Sequence, residues 1–168
     1  MAEPQQPTTS YGVRLSKESF TFAAAHFITY DGDVCEPLHG HNYALRVELE
    51  GPLDENAYVY DFIATRDAIQ RLVHQLDHCV LLPTEHPRIL VQRVTEAGQD
   101  EVIARFEERR WVFPAADCRL LPLPNTTAEM LANWIGRQLI DVLPGLTALV
   151  VEVEECAGQA GLWRWRRS

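Results

Sequence analysis

The sequence lacks the features of an exported or membrane-spanning protein. Its four cysteines stand singly, with no C-x-x-C pair, so neither a disulfide framework nor a thiolate zinc knuckle is indicated. No apolar run approaches the roughly 20 residues of a transmembrane helix. Residues 1–10 contain neither the basic nor the apolar segment of a signal peptide. We therefore expect a disordered lead at 1–10 and a cytoplasmic protein.

Positive charge is also scarce. The chain has 15 Lys and Arg against 24 Asp and Glu, a formal net charge of −9, which argues against a nucleic-acid or membrane partner. There is no internal repeat and no low-complexity tract. With 46% hydrophobic residues in 168, we expect one domain at 11–168, large enough to bury about 70% of the unfolded surface.

A histidine-rich stretch, CEPLHGHNY at 35–43, opens the most regular pattern in the chain. From His41 onward, apolar and polar residues alternate as far as Leu49, which is the period of a half-buried strand. His39 and His41 therefore lie on the same inward face.

A third inward histidine, His26, belongs to an earlier predicted strand at 11–27. The turn-rich link at 29–36 is short enough to favour an antiparallel hairpin, which brings His26 close to His39 and His41. Three imidazoles leave the fourth tetrahedral position of a zinc ion open, as in catalytic zinc sites. The residues therefore predict a zinc site.

Two helices complete the pattern. Asp61 is a typical N-cap for a helix that runs to about Leu76, and a second helix opens at 125–129 and stops before Pro144. A last strand follows at 146–156.

Residues 85–124 predict an additional hairpin, with arms at 88–95 and 101–113 around a turn at 97–100. The second arm fits a helix equally well.

Several polar groups have both a chemical and a structural interpretation. Cys35 is either a small buried hydrophobe or a thiolate whose pKa a nearby cation lowers, hence a general base. Asp77 and His78 either end a helix or form a proton relay. Glu155 falls in the inward row of the last strand, where a carboxylate is costly unless paired, or it bends out to water.

Two further patterns remain open. His74 and His78, spaced i, i+4 on the predicted first helix, are a competing metal-binding pair. Thr126-x-x-Glu129 matches a capping box, while the exposed N–H groups of that helix start, with Thr127 beside them, could instead meet a ligand.

In this order, the pieces resemble the 6-pyruvoyl-tetrahydropterin synthase / 6-carboxy-tetrahydropterin synthase family. The matching segments span most of the chain: FTFAAAH at 20–26, CEPLHGHNY at 35–43, YDF at 60–62, LDHCVL at 76–81, NTTAEMLANWI at 125–135 and VEVEECAGQAGLWR at 151–164. The resemblance implies an α+β tunnelling fold (T-fold), an antiparallel sheet with two helices on one face. It also implies a homohexamer of two stacked trimers, with active sites between subunits.

The resemblance further implies roles for individual residues. These are the zinc ligands His26, His39 and His41; the catalytic residues Cys35, Asp77, His78 and Glu155; and the pterin-binding residues Glu155, Thr126 and Thr127. Among them, Cys35 would accept a proton, Asp77 and His78 would relay one, and Glu155 would anchor the pterin ring.

The implied activity is that of a Zn²⁺-dependent lyase. It would convert 7,8-dihydroneopterin triphosphate, with loss of triphosphate, to a 6-carboxy- or 6-pyruvoyl-tetrahydropterin. The C-x3-H spacing from Cys35 to His39 is similar to that of the bacterial 6-carboxy enzymes of queuosine biosynthesis, and it favours that product. The long 85–124 segment, and Thr126 where proline is usual, motivate one alternative, a family enzyme acting on a different dihydropterin. A non-catalytic zinc- and pterin-binding protein is the other.

Overall fold

The computed structural model of the protein describes residues 9–32, 34–96 and 98–168, so the lead expected at 1–10 lies mostly outside the described residues. The elements are β1 (Tyr11–His26), β2 (Thr29–Tyr30), β3 (Val34–Cys35), β4 (His39–Gly51), α1 (Phe62–Leu76), β5 (Cys79–Pro83), β6 (Leu90–Glu96), β7 (Gln99–Phe106), β8 (Arg109–Pro114), β9 (Cys118–Leu121), α2 (Ala128–Val142), β10 (Ala148–Cys156) and β11 (Gln159–Arg166).

Six strands form the main sheet, in the order β11-β10-β4-β1-β5-β9. β1 and β4 form the predicted antiparallel hairpin, with His26 opposite His39. β10 pairs antiparallel with β4, and β11 with β10. β5 and β9 instead pair in parallel, because each is reached through a long connection rather than a tight turn. The sheet is therefore mixed, and the expected antiparallel order holds for four of its strands.

Both helices pack on this sheet and share its core. Asp61 caps α1 as predicted, its carboxylate accepting from the backbone N–H groups of Ile63 at 2.6 Å and Ala64 at 3.0 Å. The core joins the inward rows of β1, β4 and β10 to the apolar stripes of the two helices. The apolar residues whose alternation predicted these strands are thus the residues that the core buries.

The start of α2 differs from the capping-box prediction. Thr127 is the N-cap, accepting from the backbone N–H of Met130 at 3.4 Å. The side chain of Thr126 is fully buried, so Thr126 does not cap the helix and the pairing of Thr126 with Glu129 in a capping box was wrong. The physical reason is that the helix begins one residue later, which moves Glu129 into the second position of the first turn.

Residues 90–114 form a separate antiparallel sheet in the order β6-β7-β8. The second arm of the predicted hairpin is extended rather than helical, and it splits into two strands at Glu107, whose φ of 53° lies in the left-handed region. This small sheet covers a second core, which includes Phe27 and Leu82 next to residues of β7. We call this three-stranded unit the inserted sheet.

Within the part of the chain that the structure describes, neither helix has the length and apolar character needed to cross a bilayer.

Candidate active site

Three histidines converge where β1 ends and β4 begins. The ring centroid of His39 lies 4.7 Å from that of His26 and 4.8 Å from that of His41. One potential ligand nitrogen from each histidine lies within 4.8 Å of the other two. The hairpin register places His26 and His39 opposite each other, so the predicted convergence is confirmed.

Backbone carbonyls orient two of these imidazoles. Nδ1 of His26 lies 2.9 Å from the carbonyl oxygen of Thr126, and Nδ1 of His39 lies 2.9 Å from that of Pro37. A carbonyl can only accept, so each Nδ1 carries a proton, and in the neutral ring the lone pair is then on Nε2. Burial lowers the pKa of His26, which further favours the neutral ring that a metal ion requires.

Glu155 lies beside this triad rather than bending out to water. Its Oε1 atom is 3.2 Å from Nε2 of His26 and 3.6 Å from Nε2 of His41. The hydroxyl of Tyr43 donates to the same oxygen at 3.4 Å. Burial raises the pKa of Tyr43, so the hydroxyl stays protonated and available as a donor.

A cavity of about 330 Å³ opens next to Glu155, at the N-terminus of α2. Thr127 and Glu129 also line it, so two carboxylates and a capping hydroxyl face one space. Thr126 does not line this cavity: its side chain is buried, and its carbonyl orients His26. The sequence analysis assigned Glu129 only to a capping box and missed it as a residue of this cavity. The available signal was an acidic side chain in the first turn of α2, within a segment that matches the family.

Cys35 lies at the end of β3, partly buried against the second core. Burial raises the pKa of its thiol, and the nearby Arg109 guanidinium opposes that rise. Its neighbour Glu36 lies beside the triad, with Oε2 3.7 Å from Nε2 of His39. Glu36 was missed as a site residue, although its position three residues before His39 was a usable signal.

Asp77 and His78 form a pair at the end of α1. Asp77 accepts from the backbone N–H of Ala23 at 2.8 Å through Oδ1, and its Oδ2 lies 3.0 Å from Nδ1 of His78. The hydrogen bond from Ala23 is the main reason that the pKa of Asp77 is lowered. The His78 side chain is 84% exposed, and it lines, with His41, an open cavity of about 470 Å³. The two residues predicted to relay a proton are therefore in contact, and His78 is exposed.

The structure removes the basis for a metal site at His74 and His78. α1 ends at Leu76, and His78 has a φ of 56°, so His74 and His78 do not share a helical face. Among the described residues, His26, His39 and His41 are the only group of three or more potential ligands.

Comparison with known proteins gives a consistent result. The family model for 6-pyruvoyl tetrahydropterin synthase matches residues 14–163. A relative from Methanocaldococcus jannaschii, a putative 6-carboxy-5,6,7,8-tetrahydropterin synthase, is 29% identical over 149 residues, which are 85% of this chain and 88% of that one. A dihydroneopterin monophosphate aldolase from Pyrococcus furiosus is 36% identical over 58 residues, which cover 34% of this chain and 48% of that one.

Solved structures show the same fold. The 6-pyruvoyl tetrahydropterin synthase of Plasmodium vivax superposes with a TM-score of 0.84 at 26% identity, covering 95% of this chain and all of that chain. Two further structures of the Plasmodium protein are catalytic residue mutants, in which a glutamate is replaced by alanine or by cysteine. The match covers the mixed sheet and both helices of the T-fold, with the family model extending from β1 into β11. This chain belongs to the 6-pyruvoyl tetrahydropterin synthase family of lyases.

Proposed function

We propose that the protein is a zinc-dependent lyase that converts 7,8-dihydroneopterin triphosphate to a 6-carboxy-tetrahydropterin, with loss of triphosphate. One observation carries the proposal: the histidine triad, the Glu155 carboxylate and the cavity at the start of α2 lie together. The likeness to the Methanocaldococcus relative, a putative 6-carboxy-5,6,7,8-tetrahydropterin synthase, supports the 6-carboxy product over the 6-pyruvoyl one.

His26, His39 and His41 would hold the zinc ion. They fit it because two of the three rings have their Nδ1 protons engaged by carbonyls, which leaves Nε2 free for a metal. Bound there, zinc would supply Lewis acidity that lowers the pKa of substrate hydroxyl groups.

Glu155 and Glu129 would recognise the pterin ring. The amidine-like edge of a pterin presents adjacent N–H donors, and carboxylates accept from such donors in pairs. Glu155 is fixed by Tyr43, while Glu129 and Thr127 line the other side of the same cavity. Thr126 contributes through its carbonyl, which orients His26.

Two adjacent residues are candidates for the general base. Cys35 is the residue that the family resemblance indicates, but burial raises the pKa of its thiol. Glu36 has its carboxylate 3.7 Å from His39, and a glutamate is the residue changed in the Plasmodium catalytic mutants. Both side chains are therefore candidates for removing a carbon-bound proton of the substrate.

His78, held by Asp77, would exchange the next proton with substrate. Because its ring points outward, the proposal includes a homo-oligomer, a homohexamer by family resemblance, in which His78 serves the triad of a neighbouring copy.

A substrate and product assay tests this proposal. The zinc-loaded protein would be incubated with 7,8-dihydroneopterin triphosphate, while triphosphate, acetaldehyde and pterin products are followed by mass spectrometry. We expect triphosphate, acetaldehyde and a 6-carboxy pterin. A 6-pyruvoyl pterin would contradict the choice of product, and absence of consumption would contradict the substrate.

Variants at the two candidate bases sharpen the test. Removing the true base should lower kcat by about 10²- to 10⁴-fold, while zinc content stays unchanged. Cys35→Ala and Glu36→Gln, compared side by side, identify which side chain it is. Full activity in both variants would contradict general-base catalysis by Cys35 or Glu36.

The second candidate function is turnover of a different dihydropterin. The match to a dihydroneopterin monophosphate aldolase, together with the Glu36 carboxylate beside His39, favours it. Including the monophosphate and unphosphorylated dihydroneopterin in the assay separates the two functions. Turnover of any of these also excludes a protein that only binds zinc and pterin.

A further inference from the structure

Arg109 of the inserted sheet contacts the segment that carries both candidate bases. We call residues 35–38, from the end of β3 to the start of β4, the active-site loop, or simply the loop. One terminal nitrogen of its guanidinium donates to the carbonyl of Cys35 at 2.6 Å, and the other donates to the carbonyl of Glu36 at 3.1 Å. A planar guanidinium fixes the direction of two acceptors at once, which a single ammonium does not. Two successive carbonyls of the loop are therefore held by one side chain.

Arg109 is itself held in place. Its guanidinium carbon lies 4.7 Å from the ring centroid of Trp111. Trp111 stacks on Phe27 with ring centroids 4.3 Å apart and an interplanar angle of 16°. Phe27 follows His26 directly in the chain, and it is fully buried. A continuous series of packed groups thus joins the end of β1 at the triad to the carbonyls of the loop.

Two more contacts from the 85–124 segment reach the preceding turn. Nδ1 of His86 accepts from the backbone N–H groups of Arg88 at 3.0 Å and Ile89 at 2.8 Å, so the ring proton is on Nε2. Nε2 then donates to the hydroxyl of Thr29 at 2.7 Å, and Arg88 donates to the carbonyl of Gly32. The loop is held on both sides of its turn.

We propose that Arg109 is a positioning residue that fixes Cys35 and Glu36 relative to the histidine triad during proton transfer. Because Arg109 binds backbone carbonyls, this holds whichever of the two side chains is the base. The reaction measured in the test rests on the proposed function, but the contact itself does not. The 85–124 segment is then a support for the active-site loop.

The test compares Arg109→Gln with Arg110→Gln in the zinc-loaded full chain. Arg110 is exposed on the same strand, so its variant makes the same charge change without touching the loop. With 7,8-dihydroneopterin triphosphate, we expect Arg109→Gln to lower kcat about ten- to a hundredfold, with KM, zinc content and Tm close to wild type. Arg109→Lys keeps the positive charge but not the paired nitrogens of the guanidinium, so its kcat should lie between those of Arg109→Gln and wild type. The kcat of Arg110→Gln should match wild type.

A second measurement does not depend on turnover. The rate at which iodoacetamide alkylates each cysteine would be resolved by peptide mass spectrometry, with exposed Cys156 as the internal reference. This readout uses Arg109→Lys, because that variant keeps the positive charge that lowers the pKa of the Cys35 thiol. Releasing the loop should raise the rate at Cys35 several-fold in Arg109→Lys and leave Cys156 unchanged.

Two results would overturn the proposal. Arg109→Gln could keep wild-type kcat and Arg109→Lys could keep wild-type alkylation at Cys35, so that the loop needs no such contact. Alternatively, either variant could lower Tm and zinc content and accelerate alkylation at all cysteines, so that Arg109 only supports folding. If the wild-type protein consumes no dihydropterin, the proposed function fails, while the alkylation comparison still decides whether Arg109 holds the loop.

Discussion

At the scale of single residues, the site depends on which atom of each imidazole is free. The carbonyls of Thr126 and Pro37 accept hydrogen bonds from Nδ1 of His26 and of His39, which leaves Nε2 as the ligand atom of each neutral ring. Such carbonyl partners fix both the tautomer and the ring orientation of a metal-binding histidine. Thr126 and Pro37 are therefore as much a part of the site as the histidines.

Replacing His39 tests the ligand assignment. His39→Ala should abolish stoichiometric zinc retention, because two imidazoles do not form a closed protein ligand set for zinc. Zinc content would be measured after dialysis by plasma mass spectrometry. His74→Ala is the matched control: His74 is exposed on α1, and its loss should leave zinc content unchanged. Zinc retained in His39→Ala and lost in His74→Ala would contradict the assignment.

Replacing Asp77 tests how the relay pair is held. The lowered pKa of Asp77 means that its carboxylate stabilises the folded state above its unfolded pKa of about 4, and that this stability is lost as the pH falls through the lower folded pKa. Asp77→Asn should thus be less stable than wild type at pH 7, by at most about 1 kcal/mol because the side chain is partly exposed.

Urea unfolding of metal-free protein at pH 7 and pH 3 measures this effect without interference from zinc loss. The two proteins should approach equal stability at pH 3. A difference that stays constant between these pH values would show that the charge of Asp77 does not stabilise the fold.

At the scale of elements, the cavity depends on how closely α2 approaches β11. A Cβ on Gly161 would lie 2.3 Å from the backbone nitrogen of Glu129, and one on Gly136 would lie 2.3 Å from the ring of Trp163. Both contacts require glycine, but only the first involves the turn of α2 that lines the cavity. Gly161 lets the backbones of strand and helix approach each other closely, and Gly136 leaves room for the ring of Trp163 against the helix.

The pair Gly161→Ala and Gly136→Ala separates packing from binding. Each should destabilise the protein by about 1–3 kcal/mol, because overpacking forces backbone or ring shifts. Only Gly161→Ala should also weaken pterin binding, since it displaces Glu129. Denaturant unfolding and calorimetric titration with a dihydropterin measure the two effects. Equal pterin affinity in both variants would show that the start of α2 does not bind the ring.

At the scale of the whole molecule, the proposed groups line two cavities of one chain: Glu155 lines the cavity at the start of α2, and His78 lines the open cavity with His41. Glu155 lies at the triad, whereas the Asp77 and His78 pair points outward from the end of α1. In a symmetric oligomer, a group on one surface of a subunit regularly completes a site on its neighbour. The exposed His78 is the feature of this chain that motivates the proposed homo-oligomer.

Mixing two inactive variants tests the shared site. His78→Ala and Glu155→Gln should each be nearly inactive alone. If each site takes His78 from one subunit and Glu155 from another, co-refolded mixtures should regain about a quarter of the sites by random assembly. Activity of the mixture, against each variant treated identically, is the measurement. Absence of any recovery would place both groups within one chain.

Much of this architecture was predictable because it depends on local periodicity. The alternation after His41 predicted β4, the cap at Asp61 predicted α1, and the short link at 29–36 predicted the hairpin that joins the histidines. By contrast, the split of the 101–113 arm into two strands depends on the left-handed Glu107, a conformation that its residue type does not indicate.

The sequence by itself determined the family, the fold class and the convergence of His26, His39 and His41, because strand period and hairpin register are encoded by neighbouring residues. Only the tertiary structure decided the rest. It brought Thr126 to His26 and Arg109 to the carbonyl of Cys35, through contacts between residues 100 and 74 positions apart. Such contacts depend on how elements pack in space, and no periodicity in the chain records them.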